Sequence, residues 1–351
     1  MFSFNVFSQL SGAVTAGMIH IGDRLGIYRT MADAPHALDS EQLANRCGLH
    51  ERWVREWLGN QVAARIVVAD HSQPENPRFS LTPEGRAVLA DPDHPAFGMG
   101  MFHRLPATME RLSELPTCFT TGIGFDYDAH GHDGAVGIER SFEPWSNANL
   151  VPVVLPAIDG IVSRLTAGIE VADIGCGAGS AVCTMAAAFP NSSFVGYDIS
   201  RHALDIARSK AKERGLGNVR FADPRDEALP QNGRFGFVTT FDCIHDMTKP
   251  SEMVRLIRRA VSEDGVWLLV DIKALDTMEQ NVAKNPMAAL MYGISVLSCM
   301  ASALSEPNGE GLGTLGLPPS RAEALVREAG FSTFATLEIP HSVNAFYEVR
   351  P

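Results

Sequence analysis

The residues with the clearest chemical potential form a glycine-rich stretch near the middle of the chain. It reads Val171-Ala172-Asp173-Ile174-Gly175-Cys176-Gly177-Ala178-Gly179, with an apolar run before the glycines and a helical pattern from Ser180 onward. Glycine lets the backbone turn tightly and lets a ligand approach without a Cβ atom in the way. A helix that follows offers unpaired N–H groups in its first turn. The stretch therefore predicts a ligand-binding turn between a strand and a helix.

Three acidic residues mark the ends of successive predicted strands. Asp173 lies two residues before Gly175, Asp198 ends the next strand, and Asp223 ends the one after it. Ligands of doubly wound sheets bind at the carboxyl ends of the strands. Asp173 would repel a pyrophosphate but suits an ammonium group, whereas Asp198 can accept hydrogen bonds from ribose hydroxyls and Asp223 one from the amine of adenine. Ammonium, ribose and adenine together describe S-adenosylmethionine.

Two alternatives remain open for the glycine stretch. The dinucleotide fingerprint is G-x-G-x-x-G, and Ser180 stands where its third glycine would be. A nicotinamide cofactor, and hence a dehydrogenase, is one alternative. A glycine turn that binds nothing is the other.

A candidate general base lies in the segment that follows the predicted fourth strand, Phe241-Asp242-Cys243-Ile244-His245-Asp246-Met247. His245 is the only histidine at the carboxyl end of a predicted strand. A base is needed only if the methyl acceptor keeps a proton at neutral pH. The alternative is a structural histidine that bonds to Asp246 or to the backbone.

The sequence predicts no metal site. His130-Gly131-His132-Asp133 offers two histidines and an acid, but no third ligand can be identified, and we expect exposed residues of a Gly-rich loop. The six cysteines form no C-x-x-C pair. Free thiols in a reducing cytoplasm are the expectation.

The elements that must position these residues begin near Leu150, where strands and helices alternate. Predicted strands are Ile169–Ile174, Ser193–Tyr197, Val219–Ala222, Phe235–Phe241, Val266–Ile272 and two final ones around Thr333–Ile339 and Val343–Val349. Predicted helices are Ser180–Phe189, Arg201–Arg214, Ser251–Val261 and one that a capping box, Ser320-x-x-Glu323, opens before Gly330. This alternation predicts an α/β fold with a parallel, Rossmann-like sheet and an antiparallel C-terminal hairpin.

The first 95 residues predict a mainly helical winged-helix domain. An apolar stripe comes first, with Phe4, Phe7, Val14 and Met18 at helical spacing. Two helices, two short strands and a further helix follow in the range 39–90. A terminal helix this apolar must dock on its own domain or on a second copy of the chain, so we expect a homodimer through this domain.

Charge argues against nucleic acid as a partner. Residues 1–95 carry 8 Arg and no Lys against 11 Asp and Glu, and the whole chain has a net charge of −12. A DNA-reading winged helix usually has a basic footprint. No membrane segment is expected either, since the uncharged stretch Asn285–Ser305 carries Pro286, Gly293 and four serines.

Two segments are expected to close the acceptor site. Residues 96–149, rich in Gly, His, Pro and aromatics, are expected to form a bridge and lid. Residues 150–351 are expected to form the S-adenosylmethionine-binding domain. Residues 276–305 are expected to form a helical cap inserted in that domain. Trp145, Met287, Met291 and Tyr292 are predicted to line an apolar pocket, and ordinary core packing is the alternative. The expected acceptor is an apolar, ring-containing small molecule.

On these motifs, residues 150–351 resemble the class I S-adenosylmethionine-dependent methyltransferases (EC 2.1.1). With its N-terminal unit, the chain is similar to bacterial, especially mycobacterial-type, methyltransferases and more distantly to plant-type small-molecule O-methyltransferases. The resemblance implies a cytoplasmic enzyme that favours O-methylation over N- or C-methylation. A winged-helix DNA-binding regulator with S-adenosylmethionine as effector is the alternative.

The resemblance also implies roles for individual residues. Asp173, Gly175 and Gly177 would line the methionine end of the cofactor, within a binding set that includes Cys176 and Gly179. Asp198 would bind the ribose, Ile199 would pack on the adenine, Asp223 and Pro224 would flank it, and Phe241 would face the methionine moiety. Plant-type enzymes place a catalytic histidine after the fifth strand, where Lys273–Lys284 has none. The resemblance therefore does not by itself make His245 catalytic.

Overall fold

The structure is a computed structural model that describes residues 2–351. Met1, the first residue of the predicted N-terminal region, lies outside them. The chain forms two units, one of Met1–Pro106 and Val136–Trp145 and the other of Ala107–Ala135 and Ser146–Pro351. The predicted bridge, residues 96–149, thus contributes to both units.

The N-terminal unit consists of helices with a two-stranded wing. Its elements, in chain order, are α1 (Phe2–Arg24), α2 (Ile27–Asp33), α3 (Ser40–Cys47), α4 (Glu51–Ala63), β1 (Val68–Asp70), β2 (Arg78–Ser80), α5 (Pro83–Leu89) and the start of α6 (Met99–Glu110). β1 and β2 pair antiparallel. The order of helices and wing confirms the winged-helix prediction.

Local capping explains why these helices begin where they do. Asp39 accepts a hydrogen bond from the N–H of Gln42 at 2.8 Å, and the N–H of Asp39 donates to Oε1 of Gln42 at 3.3 Å. This is a capping box. Thr82 likewise caps α5, with Pro83 in the first turn, where its missing N–H costs nothing.

The apolar stripe of α1 is only partly buried. Ile19 is buried, and Gly22 lies against the rings of Tyr28 and Trp57. Phe4 and Phe7, nearer the start of the helix, are 80% and 68% exposed. The second half of α1 is therefore part of the core of its own unit, whereas the first half leaves an apolar face uncovered in the single chain.

The larger unit is built on a seven-stranded sheet. Its strands are β3 (Glu170–Ile174), β4 (Ser193–Tyr197), β5 (Val219–Ala222), β6 (Phe235–Phe241), β7 (Val261–Ile272), β8 (Thr333–Leu337) and β9 (Asn344–Arg350). The order across the sheet is β5-β4-β3-β6-β7-β9-β8. β3 to β7 pair in parallel, and β9 pairs antiparallel with β7 and with β8. This confirms the predicted fold class.

The chain order places a crevice at the end of β3. From β3 the chain steps outward to β4 and β5, and then returns to β6 on the other side of β3. Such a topological switch point is where open α/β sheets bind ligands. The predicted glycine turn lies directly after β3, at this point.

The remaining helices are α7 (Leu115–Thr121), α8 (Gly131–Asn149), α9 (Ile161–Ala167), α10 (Ser180–Ala188), α11 (Arg201–Glu213), α12 (Pro250–Ala260), α13 (Met278–Lys284), α14 (Ala288–Ile294), α15 (Met300–Ala303) and α16 (Pro319–Glu328). π-helical turns cover Leu150–Val154 and Ser295–Cys299. The predicted capping box at Ser320 was wrong, because Pro319 already opens α16 and the Ser320 hydroxyl donates to Asp276 instead.

The predicted bridge is helical, with α6, α7 and α8 covering most of it. Two of its glycines, Gly100 and Gly137, serve close packing between helices rather than a loop. A Cβ atom on Gly100 of α6 would lie 2.3 Å from the carbonyl oxygen of Gly137 in α8, so only glycine lets these two backbones approach so closely. Glycine content alone could not distinguish this use from a turn.

Among the described residues, no single helix is long and apolar enough to cross a membrane. One pair, Tyr127–Ala157 and Ile161–Ala167, meets the length and composition criteria together but bends by 109° between its members.

Candidate functional site

The strand register brings the three predicted acids to one edge of the sheet. Ile174 pairs with Tyr197, and Tyr197 pairs with Ala222. The residues that follow these ends therefore leave the sheet side by side. All three acids are buried, with exposures of 1% for Asp173, 9% for Asp198 and 8% for Asp223.

The glycine turn is fixed by the backbone of β4. The N–H groups of Gly175 and Cys176 both donate to the carbonyl oxygen of Tyr197, at 2.8 and 3.0 Å. Gly175 has a φ of +70°, and a Cβ atom there would lie 2.5 Å from Cβ of Cys243. Gly177 has a φ of +53° and open space where its Cβ would be. The turn thus needs glycine, and at Gly177 it leaves space on its open side.

The remaining residues of the turn have packing roles in this structure. The Cys176 side chain lies against Gly196 of β4, where a Cβ would be 2.7 Å from Sγ. Burial raises the pKa of the Cys176 thiol well above its ordinary value, so the thiol stays neutral. Gly179 lies at the start of α10 against Ala207 and the ring of Phe221.

Asp198 holds the turn to the end of β4. Its two carboxylate oxygens accept from the N–H of Gly177 at 2.7 Å and the N–H of Ser200 at 2.8 Å. Burial raises its pKa, and the nearby charges of Asp128 and Asp223 add to the effect. Each oxygen keeps a lone pair that can accept from a hydroxyl.

Asp173 has one oxygen satisfied and one unsatisfied. Oδ1 accepts from the Thr239 hydroxyl at 2.7 Å, whereas Oδ2 is buried without a hydrogen-bond partner among the described residues. Burial and, to a smaller extent, the charge of Asp198 raise the pKa of Asp173 to about 7, although the Thr239 hydrogen bond lowers it. A buried carboxylate oxygen without a partner is costly unless a donor or cation meets it. Asp173 therefore fits a ligand with an ammonium group.

Asp223 forms an ion pair that the sequence analysis did not predict. Its carboxylate receives the guanidinium of Arg225, with Nη2 to Oδ2 at 2.7 Å, and this lowers its pKa. Arg225 also donates to the carbonyl oxygen of Ile199 at 2.6 Å. The Ile199 side chain is 39% exposed and Pro224 is half-buried. Two apolar side chains thus lie near a neutralised acid, a set that suits a flat, uncharged ring.

Phe241 ends β6 half-buried, and the backbone turns sharply after it. Asp242 adopts a φ of +49°, which non-glycine residues rarely do. Its Oδ1 accepts from the amide of Asn344, and burial raises its pKa to about 7. Strain of this kind often accompanies functional loops.

His245 lies in a 3₁₀ turn, Ile244–Asp246, and is 2% exposed. Its Nδ1 is 2.6 Å from Oδ1 of Asp271, near the end of β7, a partner that the sequence did not single out. Burial lowers the pKa of His245, but Asp271 and the hydrogen-bonded side chain of Cys299 more than offset this and hold it well above its ordinary value. The imidazole is therefore oriented by a carboxylate, and it carries a proton at neutral pH.

The four predicted pocket residues do not all lie together. Met287, Met291 and Tyr292 lie at and within α14, with Met287 42% and Tyr292 37% exposed. Met291 is half-buried. Trp145 belongs to the other unit, at the end of Val136–Trp145.

His130 and His132 differ from the expected exposed loop. Both lie where a 3₁₀ turn passes into α8. His130 is 7% exposed, packs against the rings of Phe125 and Tyr127, and is hydrogen-bonded through Nε2 to the hydroxyl of Ser298. Only His132 is exposed. The loop prediction was wrong for His130 because the rings of Phe125 and Tyr127 and the hydroxyl of Ser298 contact it, and composition alone does not show these contacts.

Five residues of the site escaped sequence reasoning: Asp128, Arg225, Thr239, Asp271 and Cys299. Arg225 and Asp271 gave a weak signal, since each lies near the end of a predicted strand. Asp128 lies in the bridge, where it accepts from the Ser200 hydroxyl at 2.6 Å. Cys299 lies 54 residues after His245. Neither distance along the chain could be converted into proximity without the fold.

Comparison with protein families matches both regions of the chain. Residues 165–311 match a methyltransferase domain model, and residues 13–90 match an Rv2258c-like winged helix-turn-helix domain model. A curated relative, the uncharacterized methyltransferase YcgJ of Bacillus subtilis (strain 168), is 32% identical over 103 residues, which is 29% of this chain and 40% of YcgJ. A tRNA (guanine-N(7)-)-methyltransferase of Rubrobacter xylanophilus matches over 22% of its own length, so the chain spans less than half of either curated relative.

Solved structures match nearly the whole chain. A protein of Nostoc punctiforme PCC 73102, provisionally described as an O-methyltransferase, has a TM-score of 0.75 at 16% identity, covering 99% of this chain and 98% of that one. Human N-acetylserotonin methyltransferase, solved with S-adenosylmethionine, has a TM-score of 0.69 at 16% identity, covering 99% and 97%. At this identity the likeness shows the fold. Together with the family models, it confirms the resemblance that the sequence indicated and the cofactor class that it implied.

Proposed function

We propose that this chain, an S-adenosylmethionine-dependent methyltransferase with an Rv2258c-like winged-helix domain, transfers a methyl group to an oxygen of an apolar, ring-containing small molecule. The observation that carries the proposal is the set of buried acids at the ends of β3, β4 and β5. Within it, the unpartnered Oδ2 of Asp173 requires a hydrogen-bond donor or a cation. An ammonium-bearing nucleoside meets that requirement, whereas a pyrophosphate does not.

The residues that would hold the cofactor follow the sheet edge. We assign Asp173, Gly175 and Gly177 to its methionine end, and Asp198 to its ribose. We assign Ile199, Asp223 and Pro224 to the adenine, with Arg225 keeping Asp223 ionised. Cys176 and Gly179 support the turn, and Phe241 borders the methionine end. When bound, S-adenosylmethionine supplies a methyl group already activated by a sulfonium.

The chain's own contribution is alignment, exclusion of water and control of one proton. Positioning the acceptor oxygen in line with an activated methyl group supplies most of what this reaction needs. We propose that His245 faces the acceptor as general base after losing its proton, while Asp271 fixes its ring. In histidine–carboxylate pairs of this kind, the carboxylate orients the ring and stabilises its cation.

We propose that the acceptor is bound by Met291 and Tyr292 of α14 and by Met287 just before it, while the role of Trp145 stays a prediction from the sequence. Methionine side chains adapt to flat apolar ligands. Within the larger unit, bridge residues already contact the cap, since the N–H of Gly124 donates to Leu304 and that of Phe125 to Ala301. The division into residues 1–95, 96–149 and 150–351, with the cap at 276–305, stays our proposal for how these tasks are distributed.

We further propose that the chain is a cytoplasmic homodimer and does not bind DNA. The exposed first half of α1 requires cover, and a second copy provides the same apolar face. On α4, Arg52 pairs with Glu56 at 2.5 Å and Arg55 with Glu51 at 3.3 Å, which leaves little net positive charge for phosphates. All six cysteines are free within the described residues, as a reducing compartment requires.

One assay tests the activity directly. Purified chain is incubated with S-adenosylmethionine and a set of phenols, with amines of the same ring systems as matched acceptors, and formation of S-adenosylhomocysteine is measured. We expect turnover with at least one phenol and a lower rate with the corresponding amine. Turnover confined to amines would contradict the preference for oxygen.

A further inference from the structure

A short segment of the bridge, residues 124–130, contacts both the proposed cofactor site and the cap. It comes directly before α8 and ends in the 3₁₀ turn Tyr127–His130. One set of its residues is hydrogen-bonded to the segment that follows β4, and another set is hydrogen-bonded to the cap. We call residues 124–130 the strap. The strap, the cap and the strand ends all belong to the larger unit.

The cofactor side of the strap carries two acids. Oδ1 of Asp128 accepts from the hydroxyl of Ser200 at 2.6 Å, and the N–H of Ser200 donates to Oδ1 of Asp198 at 2.8 Å. Oδ1 of Asp126 accepts from the N–H of Asp128 at 2.8 Å, which fixes the turn. After the larger effect of burial, the charge of Asp128 contributes to the raised pKa of Asp198. Asp128 therefore lies close to the acid that we assign to the ribose, with Ser200 hydrogen-bonded to both.

The cap side of the strap is held by main-chain hydrogen bonds. The N–H of Gly124 donates to the carbonyl oxygen of Leu304 at 2.9 Å, and the N–H of Phe125 donates to that of Ala301 at 3.2 Å. The last carbonyl groups of a helix have no partner within the helix, and the strap supplies partners at the end of α15. A Cβ atom on Gly124 would clash with the carbonyl oxygen of Ala301, so this close contact requires glycine.

His130 adds a side-chain contact between the strap and the cap. Its ring lies edge-on to those of Phe125 and Tyr127, at centroid distances of 5.7 and 5.8 Å. Its Nε2 is 3.1 Å from the hydroxyl oxygen of Ser298, which lies in the π-helical turn Ser295–Cys299 and is 2% exposed. Main chain and side chains thus connect the strap to two successive turns of the cap.

We propose that the strap makes the order of the cap depend on the bound cofactor, with Asp128 as the positioning residue on its cofactor side. In the chain alone, Asp128 and Asp198 are like charges close together, and their repulsion opposes the position of the strap. Ribose hydroxyls that donate to Asp198 offset part of this repulsion, so the cofactor stabilises the strap and, through it, the cap. The acceptor then meets an ordered cap only when the methyl donor is in place. This inference rests on the proposed assignment of Asp198 to the ribose.

Amide hydrogen exchange, followed by mass spectrometry, tests the strap in the full-length chain. The probe is S-adenosylhomocysteine at a saturating concentration, and calorimetry on the same sample measures its binding. In the wild type we expect it to slow exchange at least about fivefold both in the glycine turn, residues 175–179, and in residues 295–304 of the cap. The effect on the cap carries the proposal, because we assign none of residues 295–304 to the cofactor. The edge strand β8 is the control region and should not change.

Two variants cut the strap on its two sides. Asp128→Ala removes the acceptor of the Ser200 hydroxyl, and Gly124→Ala forces the strap away from the carbonyl group of Ala301. In both variants we expect S-adenosylhomocysteine still to slow exchange in the glycine turn, whereas the slowing in the cap falls below about twofold. Asp128→Asn, which keeps an acceptor oxygen, and Asp205→Asn, at an exposed acid of α11, should both retain the effect on the cap.

Three results would overturn the proposal. They are unchanged exchange of the cap in the wild type although S-adenosylhomocysteine binds, slowing of the cap that persists in both Asp128→Ala and Gly124→Ala, and loss of that slowing in Asp205→Asn. Each of these leaves the methyltransferase activity untouched, because the cofactor product still binds. Absence of S-adenosylhomocysteine binding to the wild type would instead contradict the cofactor site itself and, with it, the strap.

Discussion

The two sides of the site in the larger unit are built in different ways. On the cofactor side, Asp198 and Asp223 leave neighbouring strands in register, Asp173 lies one residue before the end of β3, and an N–H of the glycine turn donates to Asp198. On the acceptor side, a 3₁₀ turn, a residue at positive φ and a π-helical turn meet without a regular register. The first side is set by the sheet, which many sequences share. The second depends on contacts specific to this chain.

Among substitutions on the acceptor side, one at His245 is expected to lower the rate of methyl transfer most. His245→Gln should lower kcat by about 10²–10⁴-fold, the usual range for a lost acid–base group, while the Kd for S-adenosylmethionine stays unchanged. Steady-state kinetics and calorimetry measure the two quantities. The control is His132→Gln, an exposed histidine. A parallel loss of cofactor affinity would show that the two sides are not separate.

Gly175 tests how rigid the cofactor side is. Gly175→Ala places a Cβ atom 2.5 Å from Cys243 at a φ of +70°. We expect a loss of about 2–4 kcal/mol in the free energy of unfolding, from the left-handed backbone and the clash together. Denaturant titration measures it. Gly217→Ala, which meets nothing within 4 Å, should change the free energy of unfolding little. Equal effects of both variants would refute the strained turn.

The sequence predicted the cofactor side of the site better than the acceptor side. The glycine turn, Asp173, Asp198 and the positions of the strands along the chain could be predicted because strand ends and glycines are local signals. Cys299 and Asp128 could not, because each reaches the site from a segment far along the chain. The prediction of an exposed loop at His130 was wrong, because a Gly-rich composition is typical of loops whereas His130 packs against Phe125 and Tyr127. Arg225 was not predicted either. Because its guanidinium pairs with Asp223, it changes which ligand groups the Asp223 carboxylate can bind.

The pH dependence of cofactor binding sharpens the account of Asp173. Its pKa of about 7 in the unbound chain means that below pH 7 the carboxyl is mostly protonated and cannot meet an ammonium. The Kd for S-adenosylmethionine should therefore rise as pH falls, approaching about tenfold per pH unit well below 7, and level off above it. Calorimetry between acid and neutral pH measures this.

A variant of its hydrogen-bond partner tests whether the pH dependence of cofactor binding arises from Asp173. Thr239→Val removes the hydroxyl that stabilises the ionised carboxylate, so the midpoint of the pH profile should move upward. If the midpoint of the pH profile does not change, the titrating group is not Asp173.

Met291 is expected to give the smallest effect, because acceptor contacts are spread over several side chains. Met291→Ala should raise KM for the acceptor about fivefold, which corresponds to roughly 1 kcal/mol of lost apolar contact, and leave the Kd for the cofactor unchanged. Met278→Ala, at an exposed position on α13, is the control. If both variants change KM alike, α14 does not line the pocket.

The central claim is that carboxylates at the ends of β3, β4 and β5 bind S-adenosylmethionine. Calorimetric titration of wild-type chain, Asp198→Ala and Asp205→Ala with this cofactor tests it most directly, because Asp198 fixes the turn and Asp205 is an exposed acid on α11. The account predicts one cofactor per chain in the wild type and in Asp205→Ala, and at least about a hundredfold weaker binding in Asp198→Ala, as expected when a buried charged partner is removed. Wild-type affinity in Asp198→Ala, or binding of NAD in place of S-adenosylmethionine, would contradict it.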